Sequence, residues 1–595
     1  MQLRAVTDRL DETSETDRTP RKTRAVWSEL APLLITLIAG VVCYGLFFRR
    51  GAWLSVIGYS VSPAERILSG EVPYRDFLYN YTPGMLWLNA LLMKGFGASL
   101  LTISAGLLFI KLATIVALFY AARRLTSSWI ALVPVGLSLA WIGYKYIFGV
   151  FPTQYSMLFV LLGLVFMLRY DESESIGWLL LSGILVGMVF VFKYNVGILL
   201  VGAGTLAVAV RELALNSGDG PLLKRIAHVS KRCVFYWAGF AVVAGAMALY
   251  LAYNNALGAM ADHFIHHVFE YGEKRAVPLP PIKHLGPAAL SLLIAVGAAA
   301  FLLRKAPRYY EALLVALTIA GVVALLIPAR GYYIKQSASA FVAYFPILLF
   351  ASVAAWLAWR LKKGNDLREW WSGARRLTIV GLVALGAFLE VYPRADSYHI
   401  IRVLTPVFLL LTVVLYMAWP AFERFISKRA PSGRRAALLS LAAPLALLAA
   451  TGVKDSWQPQ FDSQLRFIDR VPLAVEKAEG ILVSRRQQQM ISDLAGAISD
   501  YSSPGDSLFS FAQKGTGFYF LTGRRNPTRF VWWRSVGLKQ EDRAAIIDLI
   551  NSRRIKLILL QDSLKDPRVR EAVTSNYDLV RPVGDIAVYR SKESS

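Results

Sequence analysis

The sequence predicts a polytopic α-helical membrane protein followed by a C-terminal α/β domain. Apolar runs of about 20 residues, the length that crosses a bilayer core, recur from residue 27 to residue 452. Of the 595 residues, 55% are hydrophobic, and the mean hydropathy is +0.45. After residue 452 the apolar runs stop, and a mixed sequence of about 140 residues begins, which is enough for one further domain.

The formal net charge of +25 favours membrane topology over a nucleic-acid partner. Lys and Arg gather mostly in short loops between apolar runs, where the positive-inside rule places them. The first apolar run lacks a small-residue cleavage site, so it is predicted to be an uncleaved anchor behind a cytoplasmic tail. Cys43 and Cys233 both fall in apolar runs, so neither a disulfide framework nor a metal-thiolate site is predicted.

The alternation of basic loops predicts thirteen spans, with the N-terminus inside and the C-terminus outside. The spans are placed near 27–48, 99–122, 128–147, 154–169, 176–192, 196–210, 234–252, 285–303, 311–328, 337–359, 377–391, 400–420 and 436–452. The predicted domains are a tail at 1–26, a membrane domain at 27–452 with its first outer loop at 49–84, and an outer domain at 453–595.

The outer domain reads as alternating helices and strands. "QQQMISDLAGAISDY" and "EDRAAIIDLINSRR" have helical spacing, whereas "DSLFSFA" and "KLILLQD" read as strands. The closing "YDLVRPVGDIAVYRS" predicts a hairpin that turns at Gly584 and Asp585. This alternation predicts a small α/β layer domain. "GTG" at 515–517 lacks the Lys and Ser/Thr of a P-loop, so no P-loop is expected.

The first outer loop carries the segment "GEVPYRDFLYNYTPG", whose one aspartate is Asp76. Before it, "SPAERILSG" predicts a short amphipathic helix capped by Ser62 and stopped at Gly70. Aromatic rings such as Tyr74 and Tyr81 suit the membrane interface. On these residues alone, Asp76 is either a functional carboxylate or a solvated loop acid paired with Arg75.

The second outer segment contains "DHFIHHVFEYGEKRAVPLPPIKH". A helix would place most of His263, His266, His267 and Glu270 on one face, a spacing that could hold a transition metal or Zn²⁺. The competing interpretation is that these are interfacial polar residues and that Lys274 and Arg275, which follow them, are the functionally important residues. No metal site is therefore assigned, and the histidines stay an alternative.

Cations next to aromatic residues recur at the outer helix ends, in "FKYN", "ARGYYIKQ" and "YPRADSYHIIR". Side chains that snorkel to the interface would explain one such group, but several together favour an anionic headgroup. Arg offers bidentate contacts to phosphate oxygens and Lys a point charge. The candidate phosphate ligands are Lys193, Lys274, Arg275, Arg330, Lys335, Arg394 and Arg402.

This layout resembles that of the bacterial GT-C glycosyltransferases, and within them the aminoarabinose-transferase and protein O-mannosyltransferase-like (family 39-like) group. The resemblance rests on the span pattern, on "GEVPYRDF" and "YTPG" in the first outer loop, on "PLPP", and on "FLTGRRNPTRF" in the outer domain. It covers almost the whole chain in layout. Its most specific local match lies between Gly70 and Gly84.

The resemblance implies an inverting hexosyl or pentosyl transfer at the outer face of the bacterial cytoplasmic membrane. The donor would be a polyprenyl-phosphate sugar and the acceptor a lipid, glycan or protein, with no nucleic acid involved. No cofactor is required, and dependence on a divalent metal is left open.

The same resemblance implies a catalytic aspartate in the first outer loop. Many relatives carry an acid or an Asp-Glu pair shortly after the first span, where this chain has "WLSVIGYS". Asp76 is therefore the first choice for the catalytic carboxylate, and Glu65 is the reserve. Residues that could bind the acceptor or orient other groups are Tyr74, Tyr81, Asp396 and His399.

Two other functions fit a polytopic chain with an outer domain. A transporter or flippase would need ionisable residues or broken helices near the bilayer midplane, often in repeated halves. A non-catalytic scaffold would recruit partners through the outer domain. The clustering of polar residues at outer helix ends favours a reaction at the membrane surface over alternating access, and activity that depends on Asp76 would separate the enzyme from both alternatives.

Overall fold

The computed structural model describes most of the chain. The described residues are 18–142, 150–216, 221–286, 297–301, 303–305, 307–326, 332–364, 366–430, 432–461, 470–531, 533, 539–564 and 566–592.

The membrane domain is built from helices in an order close to the predicted one. They are α1 (Arg18–Gly40), α2 (Ser62–Leu68), α3 (Gly84–Phe96), α4 (Leu100–Leu125), α5 (Leu132–Trp141), α6 (Pro152–Ser173), α7 (Ile176–Phe192), α8 (Tyr194–Leu215), α9 (Leu222–Tyr253), α10 (Leu257–Arg275), α11 (Tyr310–Leu326), α12 (Tyr332–Lys363), α13 (Leu367–Phe388), α14 (Ser397–Arg402), α15 (Leu404–Ser427) and α16 (Arg434–Phe461). A π-helical turn, Val41–Gly45, continues α1.

Seven helices in the described part of the chain are long and apolar enough to cross a membrane. They are Leu100–Leu125, Pro152–Ser173, Tyr194–Leu215, Leu222–Tyr253, Ala340–Lys363, Leu404–Ser427 and Arg434–Lys454. Shorter apolar helices add to them at Leu30–Gly45, Leu132–Trp141, Ile176–Phe192 and Tyr310–Val323. Most of the predicted span at 285–303 lies outside the described residues. The polytopic helical fold is confirmed, and the count of thirteen spans stays a prediction.

Close helix contacts hold the bundle together. Helix α7 packs against both α6 and α9, and α8 packs against α13. At Gly183 and Gly239 a Cβ atom would overlap backbone atoms of the facing helix, so these glycines let α7 and α9 approach closely.

A buried ionic network joins four helices near the predicted inner end. Arg211 of α8 bonds to Asp171 of α6 (Nε–Oδ1 3.0 Å) and to the neighbouring Glu212 (Nη1–Oε1 2.5 Å). Tyr170 donates to Glu212 at 2.5 Å, and the indole of Trp371 from α13 donates to Asp171 at 3.1 Å. His228 of α9 contacts Glu212 at 3.0 Å. Because these charges are paired and hydrogen-bonded, they tolerate burial.

The outer domain has the predicted mixture of helices and strands. Its elements are β1 (Arg470–Pro472), β2 (Leu482–Ser484), α17 (Arg485–Tyr501), β3 (Leu508–Ser510), α18 (Gly517–Thr522), α19 (Gln540–Asn551), β4 (Leu557–Gln561), α20 (Pro567–Asn576), β5 (Tyr577–Val583) and β6 (Ile586–Ser591). A four-stranded sheet runs in the order β3-β4-β6-β5, with β3 parallel to β4 and the other pairs antiparallel. Strands β1 and β2 form a separate antiparallel pair. The hairpin predicted at Gly584 is confirmed.

The outer domain packs directly on the first outer loop. Gly51 donates to Leu482 of β2 at 2.7 Å, and Leu78 donates to Arg529 at 2.8 Å. At Gly58 any side chain would overlap Thr516 of the outer domain. The stretch "WLSVIGYS", which lacks an acid, is therefore covered by the outer domain at this glycine.

One local prediction in this loop is wrong. Ser62 does not cap α2: no side-chain cap is formed, and Val61 precedes the helix in αR conformation. The reason is that the chain is already helical before Ser62, through Leu54–Val56 and the π-helical turn Ile57–Val61. The predicted stop is confirmed, since Gly70 follows the helix with φ +87°.

Candidate active site at the outer ends of the helices

The segment between α2 and α3 folds into a tight turn that fixes Tyr74 and Asp76. The Tyr74 amide donates to the Phe77 carbonyl at 2.6 Å, and the Asp76 amide donates to the Val72 carbonyl at 3.0 Å. Tyr74 has φ +69°, which is a strained conformation for a bulky side chain. Its buried phenol donates to the Tyr81 carbonyl at 2.5 Å. The turn thus ties the two predicted tyrosines together.

The Asp76 carboxylate is engaged by its own loop. Arg75 donates to it through Nε (3.0 Å) and Nη2 (2.8 Å), and the Val72 amide donates to Oδ2 at 2.7 Å. The hydrogen bond from Arg75 lowers the pKa of Asp76, with further lowering by Val72 and by the charge of Arg66. The side chain is 30% exposed. Asp76 is therefore an ionised carboxylate on an accessible surface.

Lys193 occupies the break between α7 and α8, where the backbone is extended. Its Nζ bonds to Thr153 Oγ1 at 2.7 Å and to Glu390 Oε1. Thr153 also donates to the same oxygen at 3.0 Å. The Lys193 and Glu390 side chains are only 7% and 3% exposed. The Tyr81 ring centre lies 5.5 Å from Nζ, so the first outer loop covers this buried pair.

Arg402, the last residue of α14, lies between two aromatic rings. Its guanidinium carbon is 3.9 Å from the ring centre of Phe151 and 3.7 Å from that of Tyr398. Trp53 packs edge-on against both rings. In the described part of the protein, no hydrogen-bond partner meets the buried Nε and Nη2 of Arg402. Buried donors without acceptors are uncommon, and an anion is the partner that a guanidinium favours.

Arg394, Asp396 and His399 form one hydrogen-bonded unit before and within α14. Arg394 donates from Nε to Asp396 Oδ2 at 2.7 Å, and His399 Nδ1 lies 2.8 Å from Oδ1. Burial lowers the pKa of His399, although the bond to Asp396 opposes this. Burial alone would raise the pKa of Asp396, but its bonds to His399 and Arg394 outweigh it. The imidazole is therefore neutral and the carboxylate ionised at neutral pH.

Three of the seven predicted phosphate ligands lie near Tyr81: Lys193 is 5.5 Å from its ring centre, and the charges of Arg394 and Arg402 act on its phenol. Burial raises the pKa of the Tyr81 phenol, Arg402 and Arg394 lower it, and Glu390 raises it again. The charges of Glu390, Arg394 and Arg402 thus act on one ring of the first outer loop. The charges that act on Asp76 are instead those of Arg75 and Arg66. Asp76 also accepts, through its backbone carbonyl, a hydrogen bond from Arg66 of α2.

The surface around Asp76 borders the outer domain. Glu65 of α2 forms an ion pair with Lys477. Arg66 donates to the Thr528 carbonyl at 3.1 Å and to the Asp76 carbonyl at 3.2 Å. A groove of 780 Å³ is lined by Asp76 and by the segment that contains Thr528. Both predicted catalytic acids therefore lie between the first outer loop and the outer domain.

Several predicted residues cannot be placed in this site. Arg330 lies outside the described residues, as do the side chains of His267, Lys274, Arg275 and Lys335. His263 is buried, with Nε2 3.2 Å from Asn80 Oδ1, and His266 faces Asp262 at the surface. Across the residues that the structure describes, no three His, Cys, Asp or Glu side chains could hold a metal ion.

Two buried charges were missed by the sequence analysis. Glu390 sits in the predicted span at 377–391, and Lys111 lies near the middle of α4, with Nζ 5.5 Å from the Tyr44 ring centre. Lys111 and Arg402 both line a cavity of 40 Å³. An ionisable residue within an apolar run is itself a signal of function, and that signal would have found both.

Comparisons with known proteins agree with this architecture. Residues 80–230 match the family model described as dolichyl-phosphate-mannose-protein mannosyltransferase. Crystal structures of ArnT from Cupriavidus metallidurans are similar over 95% of this chain and 98% of theirs, at 14% identity. The TM-score is 0.50 for the form bound to undecaprenyl phosphate and 0.47 for the apo form.

The Archaeoglobus fulgidus oligosaccharyltransferase, in complex with Zn and sulfate, is similar over 94% of this chain and 73% of its own. Its identity is 11% and its TM-score 0.46. No curated protein matches the sequence. The likeness to the undecaprenyl-phosphate-bound structure confirms the predicted GT-C fold of the ArnT type.

Proposed function

We propose that this chain with an ArnT-like GT-C fold is a membrane glycosyltransferase. It moves a sugar from a polyprenyl-phosphate donor to an acceptor at the outer face of the bacterial cytoplasmic membrane. The observation that carries the proposal is Arg402, whose buried Nε and Nη2 have no acceptor among the described residues and lie beside further cations at the outer helix ends. The local match to the mannosyltransferase family and the lipid phosphate held by the similar ArnT structure support it.

The donor phosphate is assigned first to Arg402 and Arg394. The planar fork of Arg402 can bind two phosphate oxygens at once, and its two aromatic neighbours fix the plane of that fork. Lys193 is already paired with Glu390, so its charge is shared between that carboxylate and any bound phosphate. Lys274, Arg275, Arg330 and Lys335 remain proposed contributors from the outer loops.

The reaction is a single displacement. An acceptor hydroxyl attacks the anomeric carbon on the face opposite the phosphate. The bond from that carbon to the phosphate oxygen breaks, and its electron pair leaves with the polyprenyl phosphate. The acceptor's proton passes to a carboxylate, and the anomeric centre is inverted. Cations at the phosphate stabilise the charge that develops on the leaving group, which is a major term in such reactions.

Asp76 is the carboxylate that the family resemblance assigns to this step. Its lowered pKa makes it a weak base but keeps it ionised, which suits stabilisation of an oxocarbenium-like transition state. Glu65, the reserve, is paired with Lys477. Glu390 is a third carboxylate, and its buried Oε2 has no partner in the described part of the chain. Asp76 and Glu390 are the two to compare by mutation.

The test is sugar transfer by the full-length protein in liposomes. The donor pool and an acceptor fraction are both prepared from envelopes of source cells that lack the gene, and released polyprenyl phosphate is measured by mass spectrometry. We expect release with the wild type and none with Asp76→Asn, although that variant still binds the donor. Full turnover by Asp76→Asn, together with loss in a Glu390→Gln protein that thermal unfolding shows to be folded, would move the catalytic role to Glu390. No release by any form would refute the proposed activity.

The proposed orientation puts the outer domain outside the cell. A cysteine introduced at the exposed Ser499 of α17 should react with a membrane-impermeant maleimide in intact spheroplasts. Reaction only after lysis would place this domain in the cytoplasm and reverse the topology.

A further inference from the structure

A large cavity lies between α2 and the outer domain. It has a volume of 1110 Å³ and is open on one side to solvent. It shares Arg66, Glu71 and Arg525 with the adjoining 780 Å³ groove that reaches Asp76. Pockets of about 300–1000 Å³ enclose drug-sized ligands. The two grooves together offer a continuous surface for a ligand several sugar units long.

The charges that line the cavity nearly balance, with four cations and three carboxylates. Arg66 donates to Glu71 at 2.7 Å, and Arg525 lies 3.7 Å from the same carboxylate. Lys477 is paired with Glu65 across the domain boundary. A surface of alternating, paired charges presents many donors and acceptors without a strong net field. It therefore suits a neutral polar ligand better than a polyanion.

One wall is a helix face of small residues. Ser492, Ala495, Gly496 and Ser499 of α17 recur with helical spacing, and all line the cavity. A Cβ atom built at Gly496 would meet no atom within 4 Å, so this face is open. The buried hydroxyl oxygen of Ser492 has no hydrogen-bond partner among the described residues. The wall thus combines free volume with a polar atom that still needs a partner.

We propose that this cavity binds the acceptor and that the acceptor is a neutral, hydroxyl-rich oligosaccharide. This rests on the proposed function and names its acceptor class. The larger cavity is lined by helices, loops and a 3₁₀ turn, so its walls do not present the strand edge on which an extended peptide would pair. Hydroxyl groups of a glycan can instead bond to the paired charges and the serines. The adjoining groove leads the end of the chain to Asp76.

The test is direct binding of glycans to the full-length protein in nanodiscs, without turnover. The probes are neutral tetra- to hexasaccharides, the same sugars bearing carboxylate or sulfate groups, and Ser/Thr-containing peptides. Gly496→Trp fills the cavity, and Ser499→Trp does so from the next turn. Ser575→Trp is the matched control, since it adds the same ring at an exposed position of α20 that lines neither groove. Thermal unfolding of each variant verifies that it folds.

We expect saturable binding of at least one neutral oligosaccharide. Gly496→Trp or Ser499→Trp should weaken it by about tenfold or more, as expected when a ligand loses its pocket, whereas Ser575→Trp leaves it unchanged. Preference for acidic glycans or peptides, absence of glycan binding, or equal binding by all folded variants would overturn the proposal. Undecaprenyl phosphate binding is measured in the same samples. Glycan binding without lipid-phosphate binding would keep the cavity's role but refute the proposed donor.

Discussion

Replacing Arg402 with Met should weaken binding of the donor phosphate while changing the stability of the protein little. Met has a similar length and can keep contact with Phe151 and Tyr398, but it removes the charge and every donor. Two buried nitrogens of Arg402 have no acceptor in the part of the chain that the structure describes. If these atoms exist to hold the donor phosphate, the substitution should harm binding much more than folding.

The expected magnitudes differ for the two measurements. A hydrogen bond to a charged group contributes about 1.5–3 kcal/mol, and each 1.4 kcal/mol is about tenfold in affinity. Losing one such bond should therefore raise the Kd for undecaprenyl phosphate by about 10- to 100-fold. For stability, each unpartnered buried donor costs about 1–3 kcal/mol, whereas each cation–π contact stabilises by about 0.5–2 kcal/mol. These terms oppose each other, so the free energy of unfolding should change little.

The assay is titration of undecaprenyl phosphate onto the protein in phosphatidylcholine nanodiscs, with thermal unfolding in parallel. Arg402→Lys is the control, because it keeps a point charge but loses the planar fork, and it should fall between the wild type and Arg402→Met. Unchanged affinity in Arg402→Met would refute the reasoning and return Arg402 to the role of an interfacial anchor. Equal loss of affinity and stability would make its role structural.

Four other predictions follow from the same contacts. Asp76→Asn should abolish sugar transfer but leave the affinity for the lipid phosphate within about twofold of the wild type. The reason is that the charge of Asp76 acts on the sugar and not on the leaving group. Loss of that affinity would place Asp76 at the phosphate. Glu390→Gln should lower the free energy of unfolding by about 3–5 kcal/mol, because buried Lys193 loses its carboxylate. Adding Lys193→Met to the same chain should restore most of that stability. No recovery in thermal unfolding would show that the two residues do not act as a pair. Arg211→Met should lower the free energy of unfolding by a similar amount, since buried Asp171 and Glu212 lose the guanidinium. An unchanged melting temperature would contradict a stabilising role for this buried ionic network. The folded-state pKa of His399 lies below its unfolded value of about 6.5. The stability that the neutral imidazole contributes is therefore full above pH 6.5 and falls as the pH drops through the folded-state pKa. His399→Gln should flatten this fall in a plot of unfolding free energy against pH.

The parts of the fold that follow from local patterns were predictable. Apolar runs locate the helices because each span must satisfy its own backbone hydrogen bonds in lipid. The hairpin at Gly584 follows from two strands flanking a turn residue. Arg394, Asp396 and His399 come together because they are close in the chain, and α14 brings His399 back onto Asp396.

The parts that depend on distant pairing were not predictable from one sequence. Lys193 and Glu390 are 197 positions apart, and only the packed bundle joins them. The sequence suggested that Asp76 and the cations share one cleft. The structure shows that the turn at Val72 directs the Asp76 carboxylate back to its own loop and that Asp76 lines a groove under the outer domain. The cavity under the outer domain likewise arises from elements more than 400 residues apart.

The central claim is that the outer helix ends bind a polyprenyl phosphate, and competition tests it most directly. Full-length protein in phosphatidylcholine nanodiscs is loaded with undecaprenyl phosphate and challenged with phosphatidic acid, which offers a similar phosphate on a different lipid. The account predicts saturable binding at one molecule per chain that excess phosphatidic acid does not displace and that Arg402→Met weakens. Equal competition by phosphatidic acid, or identical binding by wild type and Arg402→Met, would contradict it.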